Sequence, residues 1–166
     1  MSINDIKAVA DFLIADFEYE MQTTLRVFEA VPTSHLDYQP DPKSKTGLEL
    51  VRHITLEDEW MLNSIADGEF EAPPAGDDSC GIMGPGDAIA RYKERVPAAL
   101  NRVRALPAEK LTANIDLLGT IQLPAINLLV VALKHSVHHR GQLSTYLRPM
   151  GGKNPSIYGP SADTQH

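Results

Sequence analysis

The sequence predicts an all-α protein: a four-helix bundle with a long crossover between helices two and three. Three observations predict it. Four segments repeat apolar residues at spacings of three and four, the period of one helical face. Prolines and glycines gather between those segments. Residues 68–86, between the second and third, are rich in Gly, Pro and Asp and too broken for an element. A connection that long fits a crossover better than an up-down-up-down meander. A length of 166 residues with 43% hydrophobic content suits one domain, residues 1–166, with its own core.

The first helix takes residues 4–30. At about 100° per residue, Ile6, Val9, Leu13, Phe17, Met21, Thr24 and Phe28 share a face. Ser2 and Asp5 resemble a capping box with Asp in place of Glu. Val31-Pro32 ends the helix, because proline disfavours helical geometry in the residue before it. The second helix takes residues 47–66 and stops at Asp67-Gly68. The third starts near Asp87 as N-cap, with Ile89, Tyr92, Val96, Leu100 and Val103 on one side. Pro97 should kink it, and Leu106-Pro107 ends it. The fourth begins at Pro124, a residue tolerated at the first helical position, and runs to about Arg148. Residues 117–123 are a short strand candidate.

Charge and composition narrow the function. A formal charge of -7 argues against nucleic acid as a general partner, since phosphates call for a basic surface. Cys80 is the single cysteine, so an internal disulfide and a Cys-rich zinc site are excluded. Asp5, Lys7, Asp11 and Asp16 interrupt the N-terminal apolar residues, unlike a signal peptide. The longest apolar stretch, residues 123–133, contains Pro124 and Asn127 and falls short of the ~20 residues that span a bilayer. A cytoplasmic protein without membrane partners is expected.

The histidines carry the functional signal. On helix four, His135 and His139 fall in the sector of Leu128, Ala132, Leu143 and Tyr146. His138 falls beside Asn127, Lys134 and Thr145 on the polar stripe. On helix two, His53 lies with Leu50, Glu57, Trp60, Met61 and Ser64. Bundles build metal sites from side chains on facing helices, and three histidines leave positions open for water or substrate. The alternative is three satisfied core histidines. Spacing does not show whether helices two and four face each other.

Residues 134–163, KHSVHHRGQLSTYLRPMGGKNPSIYGPSAD, resemble the C-terminal pattern of the DinB/YfiT-like superfamily, named for DNA-damage-inducible proteins. The pattern is a His, three residues, His-Arg-Gly-Gln, a turn with Tyr-Leu-Arg, and a Gly/Pro-containing tail. Residues 31–54, ending in VRHI, and the run MLNSIADGEF resemble it too. The resemblance implies an up-down-down-up four-helix bundle, usually a homodimer. It also implies a divalent metal, nickel or zinc, held by His53, His135 and His139. Many relatives have Glu where this chain has Ser136, which should point away from the ligands.

Other residues admit two readings each. Glu57, one turn after His53, is a fourth ligand, an acceptor for an imidazole N–H or a general base; otherwise it is an exposed helix carboxylate. Glu20, near Thr24, reaches the site or pairs with a buried Arg140, which needs a partner. Gln142 points near the histidines. Trp60 and Tyr146 line a pocket or belong to the core. Phe12, Ala15 and Tyr19 make a second apolar stripe, which suggests a dimer interface. The tail from Ser156 to Asp163 covers the site or packs on the surface. His35, His166 and Cys80 lack supporting context.

The expected function is a metal-dependent enzyme acting on a small molecule, of the hydrolase or thiol S-transferase type that the resemblance implies. The inward cations on offer, Arg140 and Arg148, are few for holding a thiol's carboxylates. The alternative is a non-catalytic, stress-linked metal-binding dimer.

Overall fold

The computed structural model describes residues 3–164. The expected Ser2 cap and His166 lie outside them. In chain order the elements are α1 (Ile3–Glu29), α2 (Gly47–Asp67), α3 (Pro85–Arg104), a short α4 (Ala108–Thr112), β1 (Asn114–Leu117), β2 (Ile121–Pro124) and α5 (Ala125–Tyr146). The expected fourth helix is therefore α5, with α4 and an antiparallel hairpin placed before it.

Side-chain pairs fix the direction of each long helix. Lys7 of α1 donates to the carbonyls of Arg104 and Leu106 at the end of α3, while Phe28 stacks edge-on against Tyr92 near its start. These two helices are antiparallel. Glu59 pairs with Arg91 and Asp67 with Arg102, so α2 and α3 are parallel. His53 meets His139 and Asp58 meets Ser136, so α5 opposes α2. The bundle is up-down-down-up. Parallel neighbours cannot be joined by a tight turn, which is why the chain from Gly68 to Gly84 crosses over.

Local chemistry sets most boundaries. Thr46 and Glu49 form a reciprocal capping box at the start of α2, and Gly68, at φ 85°, ends the helix in the left-handed region. The start of α3 differs from expectation. Pro85 opens it after Gly84, and Asp87 sits in the first turn, where its carboxylate accepts the Met83 N–H at 2.9 Å. The helix continues through Pro97. Residues 117–123 are not one strand. Leu118 and Gly119 both have positive φ, 52° and 71°, and split the segment into β1 and β2.

One core cluster fills the space between helices, with Phe17, Phe28, Ile54, Leu62, Tyr92 and Leu100 fully buried. Burying each such side chain contributes about 1.5–3 kcal/mol. The buried face of α1 runs through Ala10, Ile14 and Phe17, one step round from Val9 and Leu13. The second stripe is exposed, with Phe12 at 71% and Tyr19 at 61%. Among the described residues, no helix is long and apolar enough to cross a membrane.

Candidate metal centre

The buried row of α5 contains Leu128, Leu129, Ala132, Ser136, Arg140 and Leu143. His135 and His139 lie one step round from this row, toward α2, where His53 sits between the buried Arg52 and Ile54. All three histidines are half-buried. The sequence phases aim them at the apolar interior; the structure sets them at its edge, on the seam between α2 and α5.

The structure brings the three rings together. One nitrogen from each lies within 4.8 Å of the others, and the Nε2 atoms of His53 and His139 are 3.1 Å apart. A tetrahedral ion with metal–nitrogen bonds of 2.0–2.1 Å separates its ligands by about 3.4 Å. The spacing fits a single ion. His138 is exposed and stands outside the cluster, its ring stacked edge-on against His139.

Electrostatics keep the cluster neutral. Burial, the other two imidazoles and the Lys45 charge hold His53 down to about 3. Burial and the neighbouring imidazoles bring His135 to about 4. His139 is lowered too, chiefly by burial, with Gln142 acting in the opposite sense. All three present lone pairs at neutral pH, as metal ligands must. Gln142 also settles one tautomer. Its amide nitrogen lies 3.1 Å from His138 Nε2 and its oxygen 2.8 Å from His139 Nδ1. The oxygen accepts the Nδ1 proton, so His139 Nε2 carries the lone pair that faces the cluster. His135 Nδ1 is buried without a hydrogen-bond partner among the described residues, which also fits a ligand role.

Glu57 is half-buried, with its Oε1 3.8 Å from His53 Nδ1, too far for a hydrogen bond. Burial raises its carboxyl above the ordinary range, against the pull of Lys45. Such a group holds or takes a proton more readily than a solvated carboxylate.

An open cleft of about 990 Å³ leads to His53. Its walls are Lys43 to Lys45, the α2 face from Glu49 to Glu57, and the crossover from Pro73 to Ser79. Arg52 is locked to Asp78 at 2.7 Å, whereas Lys43 and Lys45 have no ion pair among the described residues. These are the cations of the site. Arg140 instead pairs with Glu20, and Arg148 with Asp163 at 2.9 Å. The sequence signal for the lysines was their position immediately before the α2 cap.

Nothing in the acidic run Glu57-Asp58-Glu59 marks Asp58 apart from its neighbours. Asp58 is fully buried. The hydroxyls of Tyr92 and Ser136 each donate to its Oδ2 at 2.6 Å. Burial pushes it up to about 7, against both hydroxyls. Trp60 stacks edge-on against Phe70, and Tyr146 against Tyr38, both within or beside the core. Thr24 donates to the Glu20 carbonyl. The tail lies elsewhere: Tyr158 bonds Arg140 and Glu20, and among the described residues no tail hydrogen bond reaches the three histidines. His35 is exposed and Cys80 half-buried in the crossover.

Known proteins place this geometry in a family. Residues 16–143 match the DinB superfamily. Two uncharacterized Bacillus subtilis (strain 168) proteins are similar to this chain. YjoA is 28% identical over 149 residues, covering 88% of this chain and 94% of YjoA. YrdA is 25% identical over 157 residues, covering 92% and 90%. The crystal structure of YjoA superposes with a TM-score of 0.67 at 24% identity, covering 93% of this chain and 99% of that one. A DinB-like protein from Bacillus cereus ATCC 10987 gives 0.72 at 20% identity, covering 88% and 95%. At these identities the structures show a shared fold.

Proposed function

On the premise that the chain belongs to the DinB superfamily, we propose that it binds one divalent metal ion, nickel or zinc, through His53, His135 and His139. We propose further that it uses the ion as an enzyme of the hydrolase or thiol S-transferase type. The carrying observation is the convergence of three neutral imidazoles from two helices, within 4.8 Å, with His53 lining an open cleft. When bound, the metal supplies a Lewis acid with positions left open to water, a carbonyl or a thiolate.

The surrounding residues support this reading. Gln142 orients His139. Glu57, its carboxyl raised by burial, stands 3.8 Å from His53 and is placed for general acid–base work. Lys43 and Lys45 favour a small substrate with an anionic group entering along the cleft. The net charge of -7 disfavours nucleic acid. The exposed Phe12, Ala15 and Tyr19 face favours a homodimer.

The alternative is a non-catalytic metal-binding dimer. Elemental analysis of protein expressed in metal-replete medium should find close to one Ni or Zn per chain, removable by chelator, and sedimentation should give a dimer. Chains that carry no metal and take up none on titration overturn the proposal. Full metal loading, with no turnover in esterase, amidase and thiol-plus-electrophile screens, favours the alternative.

A further inference from the structure

The contact that joins α2 to α5 next to the histidines is not hydrophobic. Asp58 is 0% exposed, and Ser136 is 1% exposed. Ser136 follows His135 directly, and Asp58 lies five residues beyond His53. One carboxylate oxygen, Asp58 Oδ2, receives the Ser136 hydroxyl from α5 and the Tyr92 hydroxyl from α3, both at 2.6 Å. Tyr92 in turn packs edge-on against Phe28 of α1. A single side chain therefore ties α2 to both of its neighbours.

Stability gives a poor account of this arrangement. Taking a carboxyl out of water costs several kcal/mol, and well-packed apolar residues of similar volume often serve stability as well or better. Asp58 Oδ1 has no hydrogen-bond partner among the described residues, so the arrangement is not fully compensated. Directional hydroxyl–carboxylate bonds supply what apolar packing does not: a fixed register between two helices. The histidine cluster needs such a register. His53 and His139 stand 3.1 Å apart across the α2–α5 seam, near the roughly 3.4 Å of a tetrahedral ligand pair. A slide of α5 along α2 would change that separation directly. The hydroxyl that pins α5 belongs to the residue next to His135.

We infer that Asp58, acting through Ser136, is a positioning residue that sets the α2–α5 register and thereby the geometry and affinity of the three-histidine metal site. This inference rests on the metal-binding reading above. It also gives Ser136 a role that its orientation away from the ligands conceals. Tyr92 bonds the same oxygen from a helix that bears no ligand, so it is the internal control.

The test uses the intact chain loaded with Co(II), whose visible absorption reports coordination geometry. Four proteins are compared: wild type, Ser136→Ala, Ser136→Thr and Tyr92→Phe. Thermal unfolding of each metal-free protein accompanies the spectra. In Ser136→Ala the affinity should fall about 10-fold or more and the absorption bands should move, the scale seen when a supporting contact to a metal ligand is lost. Ser136→Thr, which keeps the hydroxyl, should restore both. Tyr92→Phe should lower the melting temperature while leaving the spectrum unchanged. If Ser136→Ala melts lower but binds Co(II) with wild-type affinity and spectrum, Asp58 is only a structural tie and the inference falls alone. If Tyr92→Phe shifts the spectrum as far as Ser136→Ala does, the effect is general loosening, and the inference also falls. If the wild type binds neither Co(II), Ni(II) nor Zn(II), the metal-binding reading falls and takes this inference with it.

Discussion

His139 and Arg140 are consecutive residues of α5 that turn, about 100° apart, to its two neighbouring helices, and their surroundings differ in one instructive way. Arg140 faces α1 with a side chain 1% exposed. It has a closed set of partners: the Glu20 carboxylate, the Glu20 carbonyl at 3.2 Å, and Tyr158, which offers both its hydroxyl and its ring. His139 faces α2 and meets His53 and His135, which need a shared cation or protons to be satisfied. Both residues carry nitrogen away from bulk water, Arg140 fully buried and His139 half-buried. The difference is completion. A buried charge whose partners are all supplied by the chain is architecture, while convergent lone pairs that the chain does not complete mark a site for something else.

Substitutions at the two positions should therefore separate metal binding from folding. The largest effect is expected from His139→Ala. One ligand of a three-nitrogen site is worth roughly 3–4 kcal/mol of binding on the scale of structural zinc sites, so metal affinity should fall by about 150- to 900-fold. The metal-free melting temperature should stay near that of the wild type, since the ring is only half-buried. Isothermal titration and metal-free calorimetry check both halves. A His139→Ala protein that still binds stoichiometric metal tightly would remove His139 from the site.

The reverse outcome is expected one residue later. Arg140→Met leaves the Glu20 carboxylate buried without its cation, a loss of about 3–5 kcal/mol of stability. The double variant Arg140→Met/Glu20→Leu should recover much of it, because the isolated charge is gone. Metal affinity, measured where each variant is folded, should change far less than in His139→Ala. Chemical denaturation and metal titration on the same samples decide it. Equal losses of metal affinity at both positions would erase the distinction between the two faces.

The sequence carried much of this contrast. Periodicity placed the four long helices, and the polar run after Gly68 marked the crossover. The i, i+4 pair His135 and His139 was separated from His138 by phase alone. The Arg140–Glu20 pair is one of the two readings that the sequence leaves open for Glu20, and the rule that a buried guanidinium needs a partner points to it. What stayed hidden depended on contacts between distant segments. Asp58 sits between two acidic neighbours, and only tertiary packing tells which of the three is buried. Lys43 and Lys45 lie in a proline-flanked connection whose side chains acquire meaning when the crossover folds opposite them. The hairpin is hard to read because β1 and β2 are four residues each, and of the two positive-φ residues in their turn, Leu118 and Gly119, only the glycine carries a turn signal.

pH gives the subtlest way to set the two faces apart, since Arg140 keeps its charge throughout while the histidines titrate. In the metal-free protein, His53 is held at about 3 and His135 at about 4, against 6.5 in the unfolded chain. Between those values the unfolded state binds more protons, so stability rises with pH across the window and is lost as pH falls below about 6.5. Asp58 has the opposite sign. Raised to about 7 from 3.8, it is protonated in the folded state where the unfolded chain is ionised, and its contribution declines as pH rises through that interval. Other carboxylates titrate there too, so the difference between proteins is the informative quantity. Replacing His53 with Gln removes the group with the largest depression among the three. Melting temperatures recorded with chelator from pH 7.5 to pH 4 should therefore fall less steeply on acidification in His53→Gln than in the wild type. The lines should converge near pH 7.5, where the histidines are neutral in both states. Parallel lines over the whole range would mean that His53 is solvated like an ordinary histidine, and that the cluster on the α2 side is as complete as the ion pair on the α1 side.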